Sequence, residues 1–307
     1  MLISVILPVF NGEYYIRQAI ESVLNQSYKN LELIIVNDGS TDLTRVICEE
    51  FVASDNRIIL INQNNVGVSV SRWVGVESCR GEWVTFVDAD DSLIHSALAD
   101  LVSEIADKYA LIISDEYALD FNSNTYIEAL LKGELHVGPV AKLFKRELFS
   151  KFVFEVPRNL SVGEDLIMNI RIALNINNYF VKVIQKKVYQ INENNLRASL
   201  STGFKRSIEY EERYYEELLN SFSLIDRENF KYPLIAVRLR ALKLIYLDQG
   251  YKLDKKSKFY VRLVGDVKRS NFQPGLEYYF LLYSECLYFL FVQLHRVYYG
   301  LKRKLGW

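Results

Sequence analysis

The chain has 307 residues and half of them are apolar, so it is long enough for one large domain or two smaller ones with a sizeable core. Its 37 lysine and arginine residues nearly balance 38 aspartate and glutamate residues, which argues against a dedicated nucleic-acid surface. Three cysteines without the spacing of a zinc site or a disulfide framework are typical of buried thiols in a reducing compartment.

The first part of the chain alternates short apolar runs with amphipathic helical patterns. Four runs predict buried strands at Leu2–Phe10, Leu31–Val36, Arg57–Ile61 and Trp83–Val87. We expect the first strand to stop at Pro8. The apolar helix faces predicted between the strands are Ile16, Ala19, Ile20, Val23 and Leu24, then Val46, Ile47 and Phe51, then Val70, Trp73 and Val74. This alternation predicts an α/β fold with a mostly parallel sheet flanked by helices.

A cluster of polar residues follows each predicted strand. The clusters are residues 8–13, 37–42, 64–67 and 88–91. Turn chemistry alone accounts for any one of them, because asparagine, aspartate, glycine and serine are turn residues. Ligands bind at the carboxyl edge of open α/β sheets, so four clusters in register predict one ligand-binding crevice.

The fourth cluster, Asp88-Ala89-Asp90-Asp91, holds three carboxylates within four residues. Their charges repel one another unless a cation or several donors are present, which indicates a divalent metal with oxygen ligands. The alternative is a solvated acidic turn that caps the next helix.

A second acidic motif, Gly163-Glu164-Asp165, precedes a helical stripe of apolar residues. The two carboxylates are therefore predicted in the first turn of a helix. Acidic side chains at that position complement the helix macrodipole, which is the structural alternative to a chemical role.

Several stretches of the chain together carry a family resemblance. Residues 5–42, residues 64–91, the segment KLFKREL and the segment GEDLIMNIRIA resemble the family 2 inverting glycosyltransferases with the GT-A (Rossmann-like) fold, of the bacterial surface-glycan or glycoprotein type. The resemblance implies a UDP-sugar donor, an Mn²⁺ or Mg²⁺ ion between the aspartates and the diphosphate, and a glycan, glycolipid or glycoprotein acceptor.

The same resemblance implies a role for individual residues. The residues that it places around the nucleotide sugar are Pro8, Val9, Phe10, Asn11, Glu13, Asp38, Asn65, Arg72, Asp88 and Ala89. It places Asp38 against the base, the metal at Asp90, and the general base that takes the acceptor's proton at Asp165. Supporting roles are implied for Asp91, Lys142, Glu164, Arg197 and Ser199.

Alternatives stay open for some of these residues. The stem of Lys142 could equally pack on the sheet. Arg197 and Ser199 lie in a predicted loop, residues 192–201, after one or two strands predicted within residues 179–191. No motif selects His95, His136 or His295 as a further metal ligand.

The pattern changes after Gly203, which predicts two domains, residues 1–203 for catalysis and residues 204–307 as a helical C-terminal domain. Helices are predicted at residues 210–222, 226–248, 254–269 and 274–304. The last pattern is apolar around most of its circumference, while Glu277 and Glu285 argue against a membrane span. It could pack within its domain, against another copy in a homo-oligomer, or on a membrane surface. A protein interface is favoured because of its tyrosine and phenylalanine content.

Two hypotheses about function follow. The first is an inverting transferase that moves glucose, galactose or an N-acetylhexosamine from a UDP-sugar to an acceptor hydroxyl. The second is a nucleotide-sugar-binding scaffold without transfer activity. The presence of Asp88, Asp90 and Asp165 together favours the enzyme. The amino terminus runs directly into a strand pattern without a leader, so we expect a cytoplasmic protein, with peripheral contact at the inner face of the cell membrane as an option.

Overall fold

A computed structural model describes residues 1–192, 204–250, 252–284 and 286–293. The chain divides into two compact units, Met1–Thr202 and Gly203–Trp307. Arg197 and Ser199 lie outside the described residues, and so does His295.

The first unit alternates strands and helices. Its strands are β1 (Ile3–Val9), β2 (Leu31–Asn37), β3 (Ile58–Asn62), β4 (Trp83–Phe86), β5 (Ser92–Leu93), β6 (Tyr109–Ser114), β7 (Leu119–Phe121), β8 (Lys142–Lys145), β9 (Phe180–Ile184) and β10 (Tyr189–Gln190). Its helices are α1 (Ile16–Leu24), α2 (Thr44–Ser54), α3 (Val68–Ser78), α4 (Ala97–Val102), α5 (Ser123–Lys132), α6 (Lys151–Phe154) and α7 (Glu164–Leu174).

Eight strands form one sheet in the order β3-β2-β1-β4-β8-β6-β9-β7. β3, β2, β1 and β4 are parallel, and β9 is parallel to β6. β8 runs antiparallel between β4 and β6. The carboxyl ends of β1 to β4, β6 and β9 therefore meet the amino end of β8 at one edge of the sheet. The predicted α/β class with a mostly parallel sheet is confirmed.

All four predicted strands form, and every residue of β1, β2 and β4 is buried, including Glu32, whereas β3 is fully buried only at Ile58. That carboxylate accepts hydrogen bonds from Ser4 Oγ at 2.7 Å and from the backbone N–H of Arg80 at 2.6 Å. β1 does not stop at Pro8 but continues to Val9. The ladder with β4 ends at Ile6, and the missing N–H of Pro8 therefore breaks no bond on that side.

One predicted helix face is right in part and another is wrong. In α2, Ile47 and Phe51 pack against the core as predicted, beside buried Thr44 and Cys48, whereas Val46 is 51% exposed. The face of α3 that packs on the sheet is not the predicted apolar face but a neighbouring one, rotated about the helix axis, so that Arg72 is buried and Val70 is exposed. Close packing explains the rotation, because a Cβ added at Gly75 would lie 2.4 Å from a methyl group of Ile6 and only glycine allows α3 to approach β1 this closely.

The second unit is helical, as predicted. Its helices are α8 (Ile208–Asn220), α9 (Leu224–Asn229), α10 (Lys231–Asp248), α11 (Lys258–Arg269) and α12 (Leu276–Tyr283), and residues 286–293 are also helical. The single helix predicted over residues 226–248 is instead two helices: α9 starts upstream at a capping box of Ser223 and Asp226, and α10 starts at Lys231 with Pro233 in its first turn. Within the described ranges, no helix is both long and apolar enough to cross a membrane.

The prediction of one continuous helix over residues 274–304 is wrong. α12 ends at Ser284, which has an extended backbone with φ −151° and ψ 91°. Leu281, Leu282 and Tyr288 are buried in the core of the second unit. The described part of this segment nevertheless keeps large exposed side chains, at Leu276, Tyr279, Tyr283, Leu287, Phe289 and Leu290. Packing within the second unit therefore covers only part of the described segment, and contact with another copy or with a membrane stays a prediction.

Candidate active site

The loops after β1 and β2 are joined by hydrogen bonds between backbone and side chains. Asn11, in the left-handed region with φ 51°, accepts from the backbone N–H of Thr41 through Oδ1 at 2.8 Å. Glu13 accepts from the backbone N–H of Leu43 at 3.0 Å, and its own N–H donates to Asp42 at 3.1 Å. These bonds fix the polar clusters of two neighbouring strand ends as one rigid surface.

The end of β1 presents a ring at this surface. Pro8 and Val9 are buried in the strand, whereas Phe10, the next residue, is 50% exposed. An exposed aromatic ring beside a rigid strand end can stack against a planar base.

Asp38 is buried at the end of β2 and holds the loop after β3. Its Oδ1 accepts from Gln63 Nε2 at 2.8 Å and from the N–H of Val66 at 2.9 Å, and its Oδ2 accepts from the N–H of Gly67 at 2.8 Å. Asp38 is therefore a loop-holding residue in this structure, and its contact with a base stays a prediction.

Asn65 lies in the loop that Asp38 holds. Gly39, with φ 78°, lets the Asn65 backbone approach so closely that an added Cβ would stand 2.7 Å from the Asn65 nitrogen. The Asn65 side-chain oxygen accepts from the Arg158 guanidinium. Arg158 was not anticipated, since the segment before α7 carries no motif around it.

Arg72 joins the two acidic motifs. Its side chain is only 5% exposed, and it donates to Asp88 at 3.2 Å and to Asp165 at 3.0 Å. Burial acts to lower the pKa of Arg72, but the charges of Asp165 and Asp88 outweigh this effect and raise it. Asp165, 93 positions after Arg72 in the sequence, is thus brought to the same guanidinium as Asp88.

The aspartates after β4 form a cluster of negative charge. Burial raises the pKa of Asp90, and the neighbouring charges of Asp91 and Asp88 raise it further. Burial also raises the pKa of Asp91, which accepts from the N–H of Asn192 at 2.9 Å. Ala89, which stands between Asp88 and Asp90 in the sequence, is buried.

This donor set fits a divalent cation, because a cation would offset the mutual repulsion that raises both pKa values. In the part of the chain that the structure describes, however, no three histidine, cysteine, aspartate or glutamate side chains are grouped so as to hold a metal. Within those limits neither His95 nor His136 joins the aspartates. An ion here would need oxygen ligands from a bound substrate or water as well.

Glu164 and Asp165 lie in the first turn of α7, as predicted, after Gly163 with its left-handed φ of 94°. Burial and the charge of Asp165 raise the pKa of Glu164 to about 7. Burial also raises the pKa of Asp165, against the charges of Arg72 and Lys142, which lower it. The macrodipole therefore does not dominate at this helix terminus, because it would lower both pKa values.

Lys142 is fully buried, with its ammonium group turned toward α7. Its Nζ donates to the backbone oxygen of His136 at 2.8 Å and to Asn169 Oδ1 at 3.1 Å. Burial lowers the pKa of Lys142 to about 7. The ammonium group therefore has specific partners in addition to the packing of its stem, and the supporting role of Lys142 stays a prediction.

A cavity of about 620 Å³ lies at the same sheet edge, on the side of β8, β6 and β9. Its wall includes Asp115, His136, Lys142 and Tyr189. The Tyr189 hydroxyl also accepts from the backbone N–H of Asp88 at 3.1 Å, so the cavity adjoins the aspartate cluster. Ala141 in the wall has φ 59°, a strained conformation for a residue with a Cβ, of the kind that concentrates near functional sites.

Besides Arg158, sequence reasoning missed Tyr189, Asp115 and Asn169. Tyr189 and Asp115 lie just after or within short strands that carry no acidic or glycine-rich motif. Asn169 offered a usable signal, because a polar residue four positions after Asp165 interrupts an otherwise apolar helix face.

A crevice of carboxylate and amide side chains at the carboxyl edge of a parallel sheet defines an α/β protein that binds its ligand at that edge. The family model described as Glycosyl transferase family 2 matches residues 4–154. Residues 4–154 belong to this family.

Solved structures share the fold. The crystal structure of Staphylococcus aureus TarS 1-349 superposes with a TM-score of 0.64 at 20% identity, over 87% of this chain and 80% of that chain. TarS 1-349 in complex with UDP-GlcNAc gives a TM-score of 0.65 at 20% identity, over 87% of this chain and 81% of that one. These likenesses confirm the GT-A fold.

Curated relatives are bacterial glycosyltransferases. Glycosyltransferase GlyA of Streptococcus pneumoniae serotype 4 is 29% identical over 259 residues, which are 76% of this chain and 35% of GlyA. A GalNAc(5)-diNAcBac-PP-undecaprenol beta-1,3-glucosyltransferase of Campylobacter jejuni is 26% identical over 304 residues, 85% of this chain and 98% of that protein. Two further relatives are covered over 55% and 60% of their length, so the chain spans less than two thirds of several curated relatives.

Proposed function

We propose that this protein is an inverting, metal-dependent glycosyltransferase that moves a hexose from a UDP-sugar to a hydroxyl of a glycan, glycolipid or glycoprotein acceptor. The observation that carries the proposal is the contact of Arg72 with both Asp88 and Asp165. Through the Arg72 side chain, the aspartate cluster, where a diphosphate can bind, is joined to the buried carboxylate of Asp165, which can take a proton.

The donor is assigned to the surface built by the loops after β1, β2 and β3. The exposed ring of Phe10 offers a stacking face, and the joined loops around Asn11, Glu13 and Asp38 offer a rigid polar rim. A UDP-sugar is favoured because the fold neighbour TarS has been crystallised with UDP-GlcNAc.

Asp90 is the residue proposed to hold Mg²⁺ or Mn²⁺, with Asp91 in support. A bound divalent ion would offset the charge that grows on the diphosphate as the glycosidic bond breaks. The raised pKa of Asp90 supports this assignment, because it marks a carboxylate whose ionised form needs a countercharge.

Asp165 is the proposed general base. Arg72 donates to its carboxylate, which favours the ionised form, whereas Glu164, with a pKa of about 7, remains partly protonated at neutral pH. In the reaction the acceptor hydroxyl gives its proton to Asp165, and the acceptor oxygen attacks the anomeric carbon from the face opposite the diphosphate. The bond to UDP breaks, and UDP leaves with the electron pair.

The cavity beside the aspartates is proposed to take the sugar of the acceptor. A volume of about 620 Å³ is sufficient for a sugar unit, and the wall combines apolar residues with hydrogen-bonding groups. The Campylobacter jejuni relative is named for a lipid-linked glycan acceptor, which supports a glycan or glycolipid here.

The C-terminal segment is proposed to join copies of the chain in a homo-oligomer. Exposed Leu276, Tyr279, Leu287 and Leu290 support an apolar contact of this kind. Light scattering measures the mass directly. A monomer that binds anionic vesicles in low salt and leaves them in high salt would replace this proposal with peripheral membrane contact.

The test of the enzymatic proposal is a panel of UDP-glucose, UDP-galactose, UDP-N-acetylhexosamines and GDP-mannose with Mn²⁺ present, assayed for donor hydrolysis and for transfer to nitrophenyl glycosides. Asp165→Asn should then lower kcat for transfer by about 10²- to 10⁴-fold, because an amide keeps the shape but takes no proton. Donor affinity by calorimetry should stay nearly unchanged. A protein that binds a nucleotide sugar and yields no hydrolysis or transfer would be a scaffold, and loss of donor binding in Asp165→Asn would move that residue to donor recognition.

A further inference from the structure

The side chain of Asn169, on α7, is fully buried and uses its complete hydrogen-bonding capacity. Its oxygen accepts from Lys142 Nζ at 3.1 Å and from the Tyr126 hydroxyl at 3.3 Å. Its nitrogen donates to the backbone oxygens of Val137 at 2.6 Å and of Asp165 at 2.9 Å. The two donors on one side and the two carbonyls on the other allow only this orientation of the amide.

These partners lie on separate parts of the first unit. Tyr126 belongs to α5, Lys142 begins β8, and Val137 lies in the segment before β8 that lines the cavity. Lys142 also donates to the backbone oxygen of His136, in the same segment. One buried amide therefore ties the cavity wall to the first turn of α7.

The position of Asp165 is consequently set at two points. Arg72 holds its carboxylate at 3.0 Å, and Asn169 holds its backbone oxygen at 2.9 Å. The first contact fixes the carboxylate relative to Asp88, and the second fixes the helix turn relative to the cavity. If either is lost, the carboxylate can shift relative to a sugar bound in the cavity.

We propose that Asn169 is a positioning residue for Asp165, acting through Val137 and Lys142 to hold the carboxylate at a set distance from the acceptor cavity. It touches neither substrate. The inference rests on the proposed function, in which Asp165 is the base and the cavity takes the acceptor. An amide side chain is needed for this set of bonds, because it combines an oxygen that accepts twice with a nitrogen that donates twice. Glutamine has the same groups but is one methylene longer than asparagine.

The test is Asn169→Asp, with Tyr126→Phe as the matched control. The aspartate still accepts from Lys142 but cannot donate to Val137 or Asp165, whereas the control removes only the Tyr126 hydroxyl. Because a misplacement of about 1 Å can cost about 100-fold, kcat for transfer to nitrophenyl glycosides should fall by about 10- to 100-fold in Asn169→Asp. Donor KM should stay within about threefold, and Tyr126→Phe should keep a kcat close to that of the wild type.

A second variant covers the case in which Asn169→Asp does not fold. Asn169→Ser can return a hydroxyl bond to the Asp165 carbonyl but cannot reach Val137 or Lys142. It should show the same selective loss of kcat. An unchanged kcat in a folded variant, or equal losses in kcat and donor affinity together with a lower Tm, would overturn the inference. Absence of hydrolysis and transfer in the wild type would instead overturn the proposed function, and this inference with it.

Discussion

The two sides of the crevice use their charged residues differently. On the side proposed to bind the nucleotide, here called the nucleotide side and formed by the loops after β1, β2 and β3, the carboxylates of Glu13, Asp38 and Asp42 accept backbone N–H groups. Burial acts to raise the pKa of Asp42, yet hydrogen bonds from Thr44 and from the N–H of Glu13 outweigh it and lower the pKa.

On the cavity side, formed by Glu164, Asp165, Lys142 and the cavity wall, burial outweighs the other effects. It raises the pKa of Glu164 to about 7 and lowers the pKa of Lys142 to about 7. The difference teaches that hydrogen bonds can outweigh burial, as they do at Asp42, where they favour the ionised carboxylate and hold the loop in place. Where burial prevails, as at Glu164 and Lys142, the pKa values come near neutrality, where a group can exchange a proton.

Asp90 stands between the two sides, and its loss should have the largest effect. Asp90→Ala should lower both donor hydrolysis and transfer by about three decades or more, because metal stabilisation of the diphosphate is worth several kcal/mol at about 1.4 kcal/mol per decade. Steady-state rates with and without added Mn²⁺ measure this. EDTA followed by restored Mn²⁺ on the wild type is the control. Full activity of Asp90→Ala in EDTA would show that the site works without a metal.

Asp38→Asn tests the nucleotide side. The amide replaces one acceptor oxygen with a donor, so a buried N–H of Val66 or Gly67 loses its partner and stability should fall by about 1–3 kcal/mol. Donor KM should rise by about 10- to 100-fold with a smaller change in kcat, because the loop and not the proton transfer is disturbed. Denaturation curves and donor titrations measure the two effects.

The exposed Asp107→Asn is the control for Asp38→Asn, since it makes the same chemical change outside the crevice. If Asp38→Asn instead left KM alone and shifted the pH profile of kcat, Asp38 would behave like a residue of the cavity side, and the contrast between the two sides would be lost.

Lys142→Met tests the cavity side through the pH dependence of stability and not through activity. The unfolded chain holds the lysine proton up to its ordinary pKa of 10.5, whereas the folded protein releases it near pH 7. Between these values the unfolded chain binds more protons, so this group makes stability rise with pH, by at most about 1.4 kcal/mol per pH unit. The variant, which keeps the stem and lacks the ammonium group, should lose this rise.

Urea denaturation at two pH values inside that window, for the wild type and Lys142→Met, measures the difference. Lys29→Met, at an exposed lysine, is the matched control and should leave the slope unchanged. Parallel slopes for the wild type and Lys142→Met would mean that Lys142 stays protonated in the folded protein.

Much of the nucleotide side could be predicted from the sequence. The strands, the polar clusters after them and the place of Glu164 and Asp165 in a first helical turn all follow from local patterns. Apolar runs, turn residues and helix starts depend on neighbours within a few positions, and tertiary packing did not override them here. The resemblance of the motifs then named the family, which the comparisons confirm.

Only the tertiary structure decided the rest. α3 turned Arg72 inward because Gly75 allows close packing on β1 and because two distant carboxylates compensate the buried charge. The Asn169 contacts join α5, β8 and α7, and the last apolar segment breaks at Ser284. Each of these outcomes depends on groups that are far apart in the chain. The free energy gained when such groups are buried or paired exceeds the free energy by which neighbouring residues favour one local structure. The sequence by itself thus determined the elements and their polar ends, and the packing of those elements decided which charges face one another.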